Sequence, residues 1–198
     1  MIAQPQVART YSPEEYLALE VASETRHEYI DGDIVPMTGG TPNHNRIIRN
    51  LCTALTIGLR GQDLEVFVAD QGLWIPQAEI YTYPHVMVIE GDLTYQIGRR
   101  DTITNPTLIV EVLSESTRSC DRGDKFAAYR TIPSFREYVL VDQHSAHVEH
   151  HVKTGSKQWM LQEYDGLETP LTLISLSLEI SLLDIYNKVQ FEVTEDQS

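Results

Sequence analysis

The sequence predicts an α/β fold: a mixed central β-sheet flanked by helices, with an N-terminal β-hairpin and a C-terminal β-meander. Three observations lead there. Residues Thr107-Leu108-Ile109-Val110-Glu111-Val112-Leu113 form an aliphatic run dense enough for a strand buried on both faces. A second such run, Glu137 to Asp142, follows it across a stretch with helical spacing. Near the start of the chain, Asp31-Gly32 separates two short runs, which is the signature of a hairpin turn. With 198 residues and no repeat or linker, the chain suits one domain spanning residues 1–198.

The elements follow in order. Ser12-Pro13-Glu14-Glu15 opens a helix, with Ser12 as cap, Pro13 in the first turn and Glu15 placed for a capping box; its end is expected near Ala22-Ser23. His27–Ile30 and Asp33–Val35 form the hairpin. Thr41-Pro42 starts a second helix whose Ile47, Ile48, Leu51 and Leu55 make one apolar stripe. His44 lies on that stripe one turn earlier, and Gly58 and Gly61 mark the end. Leu64–Ala69, Gly72–Pro76 and Pro84–Ile89 read as strands, the first two separated by a tight Asp70-Gln71 turn. After the Glu111 strand, a helix is expected from about Arg118 to Thr131, closed by Pro133. Strands near 146–153 and 157–164 and an amphipathic helix around 182–189 complete the chain.

Charge constrains the partners. The formal net charge of -14, from 15 basic and 29 acidic residues, argues against a general nucleic-acid-coating protein, because phosphate binding needs positive surface. Residues 99–136 are the exception: Arg99, Arg100, Arg118, Arg122, Lys125, Arg130 and Arg136 outnumber five acids there. A solvated face balancing its neighbours is the commoner reading of such a stretch, though its overlap with the Glu111 segment permits a phosphate substrate. No apolar run is long enough to span a bilayer. Cys52 and Cys120 suggest neither a disulfide framework nor a zinc knuckle. A cytoplasmic address is the expectation.

Glu111 is the residue that carries chemistry. An acid inside a buried strand costs several kcal/mol unless a metal, a cation or hydrogen bonds compensate it; the plainer alternative is an exposed strand end or an arginine partner. Asp121, Lys125 and Tyr129 come next at i, i+4 spacing and share a helix face. A buried strand acid followed by a helix bearing one lysine is how a metal-assisted hydrolase can be assembled; the plainer alternative for Asp121 is an ion pair with Lys125 at i, i+4. His144, His147, His150 and His151 suggest a metal cluster at first sight. Strand alternation separates His147, Glu149 and His151 from His150, so an exposed strand near a sheet edge is expected there instead. Trp74 and Trp159 read as core or half-buried strand residues.

The pieces together resemble a large bacterial family of uncharacterised proteins with a provisional restriction-endonuclease label, inside the PD-(D/E)XK nuclease superfamily. The resemblance rests on Tyr29-Ile30-Asp31-Gly32-Asp33-Ile34-Val35, His44-Asn45, Tyr83-Pro84-His85-Val86 and Glu111 through Thr117. It continues through Asp121-Arg122-Gly123-Asp124-Lys125 and Glu137 to Asp142, and covers nearly the whole chain. It implies a restriction-endonuclease-like core and a DNA endonuclease using Mg²⁺ or Mn²⁺. By the same resemblance Glu111 is a metal-binding acid, Lys125 stands in for the usual strand lysine, where Leu113 sits here, and Glu28 is the additional acid. His44, Ser114, Thr117, Asp121 and Tyr129 are candidates for supporting or phosphate-contacting roles.

The departure is His85, where the family pattern has an aspartate after proline. Three consequences are open: a silent site kept for DNA binding or assembly; a softer metal with His85 as ligand, since imidazole suits Mn²⁺, Zn²⁺ or Fe²⁺ better than Mg²⁺; or Mg²⁺ held by Glu111 and Glu28 alone. The apolar Leu171, Leu173, Ile174, Leu176 and Leu178 exceed what a small meander needs, so a homodimer is expected.

Overall fold

The computed structural model describes residues 10–115 and 117–191. It is a mixed α/β structure, as the sequence predicts. The elements that build the site are α1 (Pro13–Ala22), β1 (His27–Ile30), β2 (Asp33–Pro36), α2 (Pro42–Gly58), β3 (Leu64–Val68), β4 (Gly72–Ile75), β5 (Ile80–Thr82), β6 (Val86–Glu90), β7 (Thr102–Ile103) and β8 (Leu108–Leu113). Then come α3 (Arg118–Cys120), a π-turn (Asp121–Lys125), α4 (Phe126–Tyr129), β9 (Glu137–Asp142), β10 (His147–Gly155), β11 (Gln158–Asp165), β12 (Pro170–Leu173), β13 (Leu178–Ser181) and α5 (Leu182–Ile185).

The strands make a six-stranded sheet in the order β11-β10-β9-β8-β6-β3, a five-stranded sheet β2-β1-β5-β4-β7 and the pair β12-β13. In the larger sheet β8 and β9 run parallel and the other neighbours antiparallel. Pleat alternation sorts its side chains into two cores. Val86, Val88, Val110, Val112, Val139 and Val141 face α2, α5 and the β12-β13 pair. Met87, Ile89, Ile109, Leu113, Tyr138 and Leu140 face α4 and the smaller sheet. Ile47, Leu51 and Leu55 of α2 are fully buried in the first core, each contributing roughly 1.5–3 kcal/mol. The parity places His85 and Glu111 on the second face, toward the π-turn and α4.

Several expectations are met locally. Ser12 and Glu15 form the reciprocal capping box, Asp31 and Gly32 both take the positive φ that the hairpin turn requires, and Thr41 caps α2. Trp74 and Trp159 are half-buried.

Others are corrected. The Asp70-Gln71 turn joins strands of different sheets, because β3 pairs with β6 and β4 pairs with β5 and β7. The helix expected over 118–131 is a continuous run over residues 118–129 with a π-turn between its two α-helical pieces. The helix expected at 182–189 is only Leu182–Ile185; the chain turns away at Lys188, whose φ of 64° is left-handed. The histidine strand lies near a sheet edge, next to the outermost strand β11, but it is not exposed: its residues alternate between half-buried and buried for most of its length, and His150 is fully buried. The C-terminal leucines have a use within the chain, since Leu171, Leu173 and Leu176 lie in the first core while Ile174 stays exposed. No helix among the described residues is long and apolar enough to cross a membrane.

Candidate active site

Glu111 sits in the middle of β8 with no exposed surface, and its two oxygens are met from different sides. Oε1 accepts from the Tyr129 hydroxyl at 2.9 Å and lies 3.6 Å from Lys125 Nζ. Oε2 accepts the backbone N–H of His85 at 3.1 Å and also contacts the His85 Nδ1. That ring nitrogen is approached by the Val112 N–H as well, at 3.2 Å. The ring of His44, from the first turn of α2, stands edge-on to His85 with centroids 4.5 Å apart.

Lys125 is the hub of the acids. Its Nζ is 2.8 Å from Glu28 Oε1, 3.4 Å from Asp121 Oδ1 and 3.6 Å from Glu111 Oε1. Glu28, on β1, also accepts from the Thr82 hydroxyl of β5, so the smaller sheet delivers one acid to a site built mainly on the larger one. Asp121 and Lys125 open and close the π-turn, and both are buried. Such turns concentrate at functional sites because the extra residue re-aims the flanking side chains.

These groups shape one another's protonation. Burial alone would raise the pKa of Glu111, but Lys125 and His85 outweigh it and bring it down to about 2. Asp121 goes the other way, pushed up to about 6 by burial and by the charge of Glu111. Burial opposes the charge on Lys125, yet Glu111, Glu28 and Asp121 hold its pKa well above the ordinary lysine value. The carboxylate of Glu111 likewise raises His85 against burial. Burial, seconded by His85, lowers His44 to about 4, and burial with Glu111 keeps Tyr129 a phenol.

A cavity of about 290 Å³ opens onto this cluster. Glu28, His44, His85, Asp121, Lys125, Ser114 and Thr117 line it; Glu111 and Tyr129 stand behind, Glu111 in contact with His85 and Lys125 and Tyr129 bonded to Glu111. The Ser114 and Thr117 hydroxyls lie 2.9 Å from each other. The structure therefore brings together Glu28, His44, His85, Glu111, Ser114, Thr117, Asp121, Lys125 and Tyr129, while the histidines of residues 144–151 lie elsewhere.

Sequence reasoning missed the wall made by residues 35–41, together with Tyr83 and Gln143. Thr41 does more than cap α2: its hydroxyl donates to Gln143 Oε1 at 2.5 Å, while Gln143 Nε2 donates to the Leu113 carbonyl at 2.9 Å. A Gly39-Gly40 pair beside a helix cap was the available signal. At Gly40 an added Cβ would fall 2.5 Å from His44 Nδ1, so the close approach of loop and ring requires glycine.

The basic stretch resolves toward its plainer reading. Arg99 pairs with Asp101, Arg118 with Asp142 and Arg122 with Glu149, and Arg130 lies over the Phe126 ring.

Three carboxylates face one ammonium here; even with His85 protonated, one negative charge lacks a counterpart. That surplus fits a divalent cation, and imidazole donors beside carboxylates suit Mn²⁺ better than Mg²⁺. Among the described residues no three His, Cys, Asp or Glu side chains already stand at the spacing of a metal cage. The acids gather around Lys125 instead.

Residues 13–184 match the profile of the Uma2 family, described as "Putative restriction endonuclease". Two proteins of Synechocystis sp. (strain ATCC 27184 / PCC 6803 / Kazusa) are similar along most of their length. The uncharacterised protein sll1609 is 43% identical over 152 residues, 77% of this chain and 86% of that protein. The uncharacterised protein slr1290 is 36% identical over 182 residues, 91% and 93%. A crystal structure described as a "putative nuclease belonging to DUF820", from Anabaena variabilis ATCC 29413, superposes with a TM-score of 0.74 at 15% identity. The match covers 90% of this chain and 99% of the other, and it establishes a shared restriction-endonuclease-like fold.

Proposed function

This chain belongs to the Uma2 family of restriction-endonuclease-like proteins, and from that premise we propose that it is a divalent-metal-dependent endonuclease hydrolysing DNA phosphodiester bonds. One observation carries the reading: a fully buried strand carboxylate, Glu111, stands 3.6 Å from a buried lysine at the floor of a cavity with surplus negative charge. Glu111 and His85 would hold the ion, with Glu28 beside them; Mn²⁺ suits the imidazole better than Mg²⁺. When bound, such an ion polarises the scissile phosphate and makes a coordinated water far more acidic.

The chain's own groups have separate tasks. The raised pKa of Lys125 keeps it an ammonium, so it orients water and offsets phosphate charge rather than taking a proton. Tyr129 fixes the Glu111 carboxylate through its hydroxyl. Ser114 and Thr117, in the cavity lining, offer hydroxyls to phosphate oxygens. His44, neutral near pH 7, is free of a positive charge that would repel the cation. A two-fold homodimer is part of the proposal, and a monomeric mass by light scattering at micromolar concentration would remove it.

Plasmid nicking tests the reading, with Mg²⁺ and separately with Mn²⁺, for the natural protein, His85→Asp, and Glu111→Ala in each background. Cleavage by the natural protein with Mn²⁺ that needs Glu111 is the expected result. A second reading has its own observation: His85 contacts Glu111 directly, and that carboxylate favours the charged imidazole where an ion would sit. On that reading the natural protein is a silent DNA-binding or assembly protein, and only His85→Asp cuts.

A further inference from the structure

Asp121 is the acid of this cluster whose charge is least answered. Its side chain is 0% exposed and lines the cavity, yet no well-formed hydrogen bond reaches either carboxylate oxygen, the Thr117 hydroxyl being a weak neutral donor nearby. Glu111, equally buried, accepts from Tyr129 and from His85. Glu28 accepts from Thr82 and holds Lys125 at 2.8 Å. The nearest cation to Asp121 is that same lysine at 3.4 Å, already committed more closely elsewhere.

A buried carboxylate left this way costs several kcal/mol, and an ion or water is the usual explanation of such a group. A proton is the other species that could answer it. The surplus, however, belongs to the whole cluster, since Glu28, Glu111 and Asp121 all converge on one ammonium. The side chain facing Glu111 at position 85 also brings an imidazole and no carboxylate oxygen. One hard oxygen donor is therefore lacking beside Glu111, and a poorly answered carboxylate converges with it on the same lysine.

We propose that Asp121 takes the place of the position-85 carboxylate as an oxygen ligand of the divalent cation, alongside Glu111. The ligand has moved from the start of β6 to the π-turn, which aims Asp121 into the cavity one turn before Lys125. His85 then contributes an imidazole donor and orients Glu111 through its backbone N–H. This assignment rests on the metal-dependent reading above and names which side chains hold the ion.

The experiment is Mn²⁺ binding to the full chain, by calorimetry and by loss of the free Mn²⁺ paramagnetic signal. The natural protein, Asp121→Asn, Glu111→Gln, His85→Asp and the double variant His85→Asp/Asp121→Asn are compared, with thermal denaturation in EDTA to confirm folding. Asp121→Asn is expected to weaken Mn²⁺ binding at least about 10-fold, because even residues that only orient a ligand commonly cost that much. The double variant should recover binding, since it returns a carboxylate to position 85. Binding by folded Asp121→Asn within about two-fold of the natural protein, a difference below 0.5 kcal/mol, while Glu111→Gln binds nothing, would overturn the assignment: Asp121 would then carry a proton, and the metal-dependent reading would stand. If no variant binds Mn²⁺, His85→Asp included, the metal-dependent reading itself falls and the assignment falls with it.

Discussion

Two glutamates on neighbouring parallel strands, Glu111 of β8 and Glu137 of β9, are both 0% exposed, and they do opposite things. Alternation sends them to different faces of the sheet. Glu137 joins the face of Val139 and Val141, where its Oε2 pairs with His150 Nε2 at 2.9 Å and its Oε1 accepts the Ser175 N–H. His150 is buried too, and neither residue lines the cavity at Glu111. It ties β9, β10 and the segment before β13 together, leaving only the His150 Nδ1 without a partner. Glu111 joins the face of Ile109 and Leu113, where a cavity, a lysine and two further acids meet it. Burial of an acid is therefore common to a staple and to a candidate site. The difference is surplus charge next to open space.

The comparison is most exposed to failure at Glu111→Ala. Cleavage and Mn²⁺ binding are both expected to fall to background, whereas Glu137→Gln should leave Mn²⁺ affinity unchanged; equal loss of binding in both variants would erase the distinction. Stability should rank the two residues the other way. Glu137→Ala strands His150 and the Ser175 N–H in the core, and breaking such a buried pair costs about 3–5 kcal/mol, readable by urea denaturation. Glu111→Gln is expected to leave stability unchanged or higher in EDTA, because it removes a buried charge from a cluster with too many.

A third contrast is in pH dependence. The Asp121 carboxyl is raised to about 6 from 3.8, so the folded chain binds more protons than the unfolded one between those values. Its contribution is present below pH 4 and lost as pH rises through 6, a change on the order of 1–3 kcal/mol. His44, lowered to about 4, contributes with the opposite sign, gaining as pH rises from 4 to 6.5. The measurement is therefore the stability difference between the natural protein and Asp121→Asn in EDTA, which should fall across pH 4–6. A flat difference would show that Asp121 is not perturbed.

The smallest expected effect is at the cavity wall. Gly40→Ala should push the His44 ring off His85 and slow cleavage by roughly 3–10-fold, about 1 kcal/mol, with little change in thermal midpoint. An unaltered rate would separate His44 from the reaction.

Much of the fold was written locally. The Ser12 box, the Asp31-Gly32 turn, the α2 stripe and the two fully buried strands each depend on neighbours in sequence, and each is found where it was expected. The lysine and the acids were legible as types at spacings. The second sheet was not: β5 and β7 are three and two residues long, too short for a period to register, and β4 gives no sign of which partner it will choose. Nor was the π-turn, whose single extra residue leaves the helical pattern intact.

The sequence by itself determined which residues carry charge, which segments must be buried, and that Glu111 needs compensation, because those follow from side-chain chemistry and short periods. Only the tertiary structure decided where the compensation comes from. Glu28 arrives from a different sheet, His44 from the far helix, and Glu137, identical in type and burial, closes on a histidine instead. Long-range electrostatics depends on distances across the fold, and no local pattern encodes them.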